Sequence, residues 1–196
     1  MKYIYLITVL IFIRCGEAET SNDGDIQFEQ GDYNEAVKSY SELLVTDPGN
    51  TNFLYNRGRS FEELGLFDKA SDDFEKVIKT DPKHANAYLS LSKISYEVKN
   101  YGKALLYASS AIKYNENSAK AYFLSARAAH QLGYADQAME QYNNAISIDR
   151  EYGEAFLYRG ALKIGRKRPK SACEDFKRAK ALNVEGADSA ISDYCS

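Results

Sequence analysis

The sequence predicts an all-α fold, a superhelical solenoid of five helical hairpins that ends in a short C-terminal capping helix. The first observation is an alanine that recurs every 34 residues without insertion or deletion, as Ala36, Ala70, Ala104, Ala138 and Ala172. The second is a small residue that recurs with the same spacing, as Gly24, Gly58, Ser92, Ala126 and Gly160. A fixed period of this length is typical of stacked hairpins, because one hairpin alone cannot bury its apolar face.

Each 34-residue window is predicted to hold two helices joined by a tight turn. The windows span residues 17–50, 51–84, 85–118, 119–152 and 153–186. Glycine marks the turn in three windows, as Gly31, Gly65 and Gly133, whereas Lys99 and Lys167 occupy the same place in the other two. Glycine in mid-window is a helix stop signal, so each window is expected to form one helix-turn-helix unit.

The pattern resembles the tetratricopeptide repeat, whose motif elements appear in the second window as Leu54, Gly58, Phe61, Gly65, Ala70, Phe74 and Pro82. The resemblance covers residues 17–186, although Glu116, Arg150 and Val184 replace the closing proline in the last three windows. It implies a concave groove lined by the first helix of each repeat, and a protein that binds other proteins in that groove.

The groove residues follow from helical geometry combined with this resemblance. The second, fifth, ninth and twelfth places of a window share one face of the first helix, and the resemblance assigns that face to the groove. The candidate partner-binding residues at these places are Tyr55, Arg59, Leu89, Lys93, Tyr96, Phe123, Arg127 and His130. Asn56, at the sixth place, is added because it is the one residue that matches the clamp by which certain co-chaperone repeats hold acidic tails.

The expected ligand is an extended or helical segment of a partner protein with acidic and apolar residues. Its apolar side chains would contact Tyr55, Leu89 and Phe123. Its carboxylates would meet a ladder of cations formed by Arg59, Lys93 and Arg127. In the alternative interpretation, the aromatic residues pack between neighbouring helices and the basic side chains are simply solvated.

Residues 187–196 are predicted to cap the fifth window, with Ile191 and Tyr194 available to cover it. Apart from Cys15 near the N-terminus, which export would acylate or remove, the cysteines of the chain are Cys173 and Cys195. Such a pair in an exported chain suggests a disulfide, and closing a loop of about 22 residues would stabilise the cap by roughly 3 kcal/mol. Two free thiols are the alternative, because the sequence does not show whether the side chains approach each other.

The N-terminal segment, residues 1–16, is predicted to be an export signal. Within residues 1–13 the single charge, Lys2, precedes an apolar run from Tyr3 to Ile13, about half the length of a transmembrane helix. The sequence around Cys15 resembles the cysteine site of bacterial lipoproteins, which implies acylation of Cys15 and a membrane-anchored protein facing the periplasm. Cleavage after Ala18, which would release a soluble exported protein, and an uncleaved anchor are the alternatives.

Composition argues against catalysis, metal binding and nucleic-acid binding. The chain has 28 acidic and 25 basic residues, so it lacks the positive excess of a nucleic-acid-binding protein. It has two histidines and three cysteines, with no phosphate-binding loop and no paired metal-ligand spacing. His84 and His130 lack the neighbouring motifs of a general base. We therefore expect no enzymatic activity, no metal and no cofactor.

Two charge patterns need separate interpretations. Arg57 and Arg159 occur in the two windows that carry Asp73 and Asp175 sixteen residues later, which predicts ion pairs within those repeats. Along the chain, residues 17–50 contain nine acidic residues and residues 159–180 contain nine basic ones, a polarity that allows head-to-tail self-association. The basic turn formed by Arg166, Lys167, Arg168 and Lys170 could meet a phosphate-bearing surface or be a solvated loop.

The leading hypothesis is a non-enzymatic interaction scaffold that holds a peptide or helix of a partner in its groove, within an extracytoplasmic envelope complex. One alternative is a structural component that assembles through its outer faces and charged ends. Another is a protein that binds anionic surfaces through the basic last repeat.

Overall fold

The computed structural model describes residues 23–195, and within this range the chain forms eleven α-helices and no strand. The all-α prediction is therefore confirmed. The predicted export signal and Cys15 lie outside the described residues. In chain order the helices are α1 (Asp23–Gln30), α2 (Tyr33–Thr46), α3 (Thr51–Glu63), α4 (Phe67–Thr80), α5 (Ala85–Glu97), α6 (Tyr101–Tyr114), α7 (Ala119–Gln131), α8 (Ala135–Ile148), α9 (Gly153–Gly165), α10 (Pro169–Ala181) and α11 (Ala187–Tyr194).

The helices pack as five consecutive hairpins, α1 with α2 through α9 with α10. Each hairpin also packs on the next, because α2, α4, α6 and α8 contact the first helix of the following repeat. The first helices α3, α5, α7 and α9 contact one another in turn. This direct contact places them along one side of the stack, the side that the family resemblance assigns to the groove.

The recurring small residues allow the two helices of a hairpin to approach closely. Phe74 is fully buried against the backbone of Gly58, and a β-carbon on that glycine would lie 2.8 Å from Cε1 of the ring. Phe176 lies in the same way against Gly160. In the third repeat Ser92 replaces the glycine, and a buried hydrogen bond from its Oγ to the Ala104 carbonyl oxygen spans 2.8 Å.

The turns inside the repeats adopt one backbone conformation regardless of the residue present. The turn residue has a positive φ in all five repeats, with values of 82° at Gly31, 70° at Gly65, 61° at Lys99, 78° at Gly133 and 58° at Lys167. Glycine adopts this left-handed region without cost, whereas a lysine has a β-carbon that clashes with its own backbone. The third and fifth turns are therefore strained relative to the other three.

The ion pairs predicted within the second and fifth repeats are confirmed. The guanidinium of Arg57 donates from Nε and Nη2 to the two carboxylate oxygens of Asp73, at 2.7 and 2.9 Å. Arg159 makes the same two-point contact with Asp175, at 2.9 and 2.6 Å. Both carboxylates are buried, so these arginines serve the packing of their own hairpins.

Helix α11 covers the end of the stack. It begins after Gly186, which has a φ of 82°, and it buries Ala187. The ring of Tyr194 lies 6.2 Å from that of Phe176, between ring centres. A disulfide joins Cys173 of α10 to Cys195, whose Cα atoms are 5.6 Å apart. The cap is therefore tied to the fifth repeat both covalently and by aromatic packing.

Candidate partner-binding groove

At the N-terminal end of the groove, polar residues are already engaged with one another. Asp25 accepts hydrogen bonds from the Tyr40 hydroxyl at 2.6 Å and from the Asn56 side-chain amide at 3.2 Å. Burial, reinforced by this bond to Asp25, raises the pKa of Tyr40 well above its ordinary value. The guanidinium of Arg59 lies over the ring of Phe28, 4.3 Å from its centre. Asn56 and Arg59 thus line an open pocket together with the carboxylates of the first repeat.

In the centre of the groove, Lys93 forms an ion pair with a neighbouring repeat. Its ammonium lies 2.6 Å from Oε1 of Glu62, whose side chain is 9% exposed. Burial opposes the charge on Lys93, but the hydrogen bond and negative charge of Glu62, with Glu63 and Glu97 nearby, raise the pKa of Lys93 overall. The second cation of the predicted ladder is therefore neutralised within the protein, which the spacing of the sequence does not predict.

Tyr55 and Leu89 are half-buried, so each offers part of its side chain to the groove. The ring of Tyr55 lies 4.8 Å from that of His84, which caps α5 by accepting a hydrogen bond from the Ala87 amide at Nδ1. Burial raises the pKa of the Tyr55 hydroxyl. Leu89 packs against the buried cluster that runs from the third to the fifth repeat. These two residues retain the partial exposure that contact with a ligand requires.

Phe123 corrects the prediction of an open apolar contact at its position. The residue is 6% exposed, and its ring centre lies 5.0 Å from that of Tyr152 and 5.6 Å from that of Tyr158. It also packs on Tyr142 of α8. Tyr152 at the end of the fourth repeat and Tyr158 of the fifth cover it, so Phe123 belongs to the core between repeats, as the alternative interpretation of the sequence proposed.

Arg127 is surrounded by aromatic rings. Its guanidinium carbon lies 4.1 Å from the ring centre of Tyr96 and 4.8 Å from that of Tyr158. Its Nε atom is buried without a hydrogen-bond partner, and among residues 23–195 the guanidinium makes no ion pair. The side-chain amide of Gln131 donates a hydrogen bond to the Tyr96 hydroxyl at 3.3 Å. The third cation of the ladder is thus held in place by rings.

His130 lies one turn along α7 from Arg127, half-buried, with its ring centre 6.5 Å from that of Tyr142. Burial lowers the pKa of His130 below its ordinary value, so the neutral imidazole is favoured in the folded state. The hydroxyl of Tyr142 is also buried, with no hydrogen-bond partner in the described part of the chain.

The structure therefore brings two sets of predicted residues together. Asn56 and Arg59 share the N-terminal pocket, whereas Tyr96, Arg127 and His130 lie together further along the groove. Sequence reasoning did not predict the pairing of Glu62 with Lys93, and it missed Tyr158. Both signals were present, because Glu62 occupies the twelfth place of its window and Tyr158 the sixth, the same place that Asn56 occupies in the second window.

The basic turn between α9 and α10 is partly neutralised. The guanidinium of Arg166 pairs with Asp136 of the preceding repeat, while Lys167, Arg168 and Lys170 are exposed.

Among residues 23–195, no three His, Cys, Asp or Glu side chains converge as metal ligands. None of the helices in that range is long and apolar enough to span a bilayer.

Family models for the tetratricopeptide repeat match three segments. One described as TPR repeat matches residues 24–65, and two described as tetratricopeptide repeat match residues 55–112 and 119–152. Together these segments cover more than half of the chain. The chain belongs to the tetratricopeptide-repeat proteins, a class of interaction scaffolds that are typically non-enzymatic.

Several solved structures share the fold. A crystal structure of MamA is 26% identical with a TM-score of 0.76, and the match covers 83% of this chain and 95% of that one. MamA from Desulfovibrio magneticus RS-1 is 22% identical with a TM-score of 0.76, covering 82% and 90%. YrrB, described as a TPR protein with an unusual peptide-binding site, is 20% identical with a TM-score of 0.69, covering 81% and 82%. No curated protein sequence matches the chain.

Proposed function

We propose that this protein binds a peptide or helix of a partner protein in the groove lined by α3, α5, α7 and α9. The observation that carries the proposal is the state of the groove lining. Tyr55, Leu89, Tyr96 and Arg127 are half-buried on the inner helices, so each is held by the fold while part of its surface faces the groove. Partly exposed aromatic and aliphatic side chains beside a cation suit a segment with apolar and acidic residues. The peptide-binding site described for YrrB, which shares the fold, supports this use of it.

The proposal is tested by selection of peptides on the groove. Random twelve-residue peptides are displayed on phage as N-terminal fusions to a coat protein. This library is panned against the full chain and against a variant in which Arg59, Lys93 and Arg127 are all replaced by serine. We expect the natural chain to enrich a family of related peptides and the triple variant to lose them. Equal enrichment on both proteins would contradict groove binding.

A matched control removes three charges elsewhere. Lys79, Lys103 and Lys177 are exposed on the second helices α4, α6 and α10, away from the inner side of the superhelix. Replacing these three lysines with serine changes the net charge by the same amount as the groove variant. Peptide enrichment should survive in this control, and circular dichroism should show similar helicity in all three proteins, so that loss of peptides in the groove variant is not due to unfolding.

We further propose that the protein is exported and anchored to a membrane by a lipid on Cys15, within an extracytoplasmic complex. The support is the apolar run that ends close to Cys15 in the sequence. The test is the intact mass of the protein recovered from the membrane and soluble fractions of its native cells. A membrane-bound species that begins at Cys15 and carries acyl chains is the expected result. A soluble species that begins at Glu19 would overturn the lipid anchor.

A further inference from the structure

We infer that the groove recognises one side-chain carboxylate of its ligand at Arg127, between Tyr96 and Tyr158, and that the other two cations of the ladder do not supply this recognition. The inference rests on the proposed function of the groove and names the chemistry of its main polar contact.

The three cations of the ladder have different surroundings. Lys93 is paired with Glu62 at 2.6 Å, so a ligand carboxylate would have to compete with a nearly buried internal one. Arg59 shares its pocket with the carboxylates of Asp25 and Glu29, which repel an incoming anion. The rings around Arg127 carry no negative charge and leave its positive charge uncompensated.

The geometry around Arg127 favours a carboxylate in particular. Tyr96 comes from α5 and Tyr158 from α9, the two helices that pack on either side of α7. A ligand that approaches along the plane of the guanidinium would avoid both rings. Two parallel N–H groups in that plane match the two oxygens of a carboxylate. The rings also hold the guanidinium in one orientation, so little side-chain entropy is lost on binding.

Apolar residues flank this position along the groove. Leu89 lies one repeat before Arg127, half-buried on α5. Leu157 lies one repeat after it, half-buried on α9 and lining an open pocket with Tyr158. A segment that crosses the inner helices would therefore place an acidic residue at Arg127 and apolar residues on both sides. A carboxylate in this partly apolar setting is held more strongly than one at an open surface.

The test compares the peptides selected from the twelve-residue library by three proteins. The natural chain is expected to enrich Asp or Glu at one position, with apolar residues around it. Arg127→Gln should lose this acidic preference. Lys93→Gln, the matched control, should retain it, because the charge of Lys93 is already compensated. The most strongly enriched peptide is then synthesised with a blocked C-terminus, and its Asp or Glu is replaced with Asn or Gln. This replacement should weaken binding to the natural chain about tenfold and should hardly change binding to Arg127→Gln.

The outcomes separate this inference from the proposed function. Enrichment of peptides without an acidic preference, or loss of that preference in Lys93→Gln and not in Arg127→Gln, would overturn the Arg127 site while groove binding stands. Failure to enrich any peptide would overturn both. A second library with free C-termini distinguishes the source of the carboxylate, because enrichment of a terminal carboxylate alone would overturn the side-chain assignment. Should Arg127→Gln fail to fold, Arg127→Lys is the second variant, because it keeps the charge without the planar pair of donors. It should reduce the loss of affinity that follows replacement of the peptide's acidic residue with its amide.

Discussion

The backbone of Gly58 lies against the face of α4 that carries Phe74, so closely that a β-carbon on the glycine would stand 2.8 Å from Cε1 of the ring. The Phe74 ring is fully buried, and protein interiors are close-packed, so the ring cannot give way to an added β-carbon without cost. The glycine therefore permits the approach of α3 and α4, and the aromatic ring fills the space that the glycine leaves.

Replacing Gly58 with alanine is expected to destabilise the protein by about 1–3 kcal/mol, because overpacking outweighs the usual gain in helix propensity. Gly102 is the matched control, since a β-carbon there meets no atom within 4 Å. Gly102→Ala should be neutral or stabilise by up to about 1 kcal/mol. Urea unfolding measures the free energy of unfolding of both variants. Equal changes in the two variants would show that helix propensity, and not overpacking, determines the effect at both sites.

The strained turns predict that glycine stabilises the third and fifth repeats. Lys99 and Lys167 have φ values of 61° and 58°. Lys99→Gly and Lys167→Gly should each raise the free energy of unfolding by up to about 1 kcal/mol, since the loss of strain exceeds the extra freedom of the unfolded chain. Lys99→Ala removes the same side chain but keeps the β-carbon, so it should change stability little. A gain from alanine as large as that from glycine would argue against backbone strain.

The buried ion pair of the second repeat predicts a large cost when one partner is removed. Asp73 is 2% exposed, so Arg57→Met leaves its carboxylate with Lys76, which is 56% exposed and 3.3 Å away. We expect a loss of about 3 kcal/mol, much of it recovered when Asp73→Leu is added. Thermal unfolding of the natural chain, the two single variants and the double variant forms a double-mutant cycle, which measures the coupling between Arg57 and Asp73.

The fifth repeat offers a comparison for that loss. Asp175 has a second cation, Lys163, which is 17% exposed and 2.7 Å away. Arg159→Met should therefore cost less than Arg57→Met, because the buried carboxylate keeps a close and well-shielded partner. A larger cost in the fifth repeat would contradict this account of the two pairs.

The disulfide predicts a stability that depends on redox conditions. Cys173 and Cys195 are separated by 22 residues in sequence, and opening a loop of this size costs about 3 kcal/mol on the chain-entropy estimate. The double variant Cys173→Ser and Cys195→Ser should melt at a lower temperature than the oxidised protein and at about the temperature of the protein in reductant. Identical melting with and without reductant would show that the bond contributes nothing to the folded state.

His130 predicts a pH dependence of stability. Burial lowers its pKa below the ordinary value of 6.5, so as the pH falls through 6.5 the unfolded chain takes up a proton before the folded one does. The contribution of neutral His130 to the free energy of unfolding is therefore present above pH 6.5, and it is lost as the pH falls towards the pKa that His130 has in the folded state. We expect a loss of less than about 1 kcal/mol, since partial exposure screens the effect.

The measurement for His130 is the difference in free energy of unfolding between the natural chain and His130→Gln at pH 7.5 and at pH 5. The natural chain should lose more stability than the variant on acidification. A difference that does not change with pH would remove His130 as the cause.

Periodicity predicts the repeat fold but not every side-chain environment. Ala70 and Ala104 recur at one place of the repeat, and both are fully buried, since a position in the repeat determines which face of a helix meets the core. The same reasoning assigns Phe123 to the groove, yet it is covered by Tyr152 and Tyr158. Its helix face was predicted from the spacing, whereas its burial depends on which large side chains lie at the end of its own repeat and on the first helix of the next.

The sequence by itself determined the all-α class, the hairpin unit, the position of each turn and the intra-repeat ion pairs, because these depend on spacings within one repeat. Only the tertiary structure decided which groove cations are already engaged. Glu62 and Lys93 are 31 residues apart and meet across neighbouring repeats, while Arg127 is enclosed by rings from the repeats on either side. Such contacts depend on how far each hairpin rotates and shifts relative to the next, and the period of a sequence does not specify that geometry.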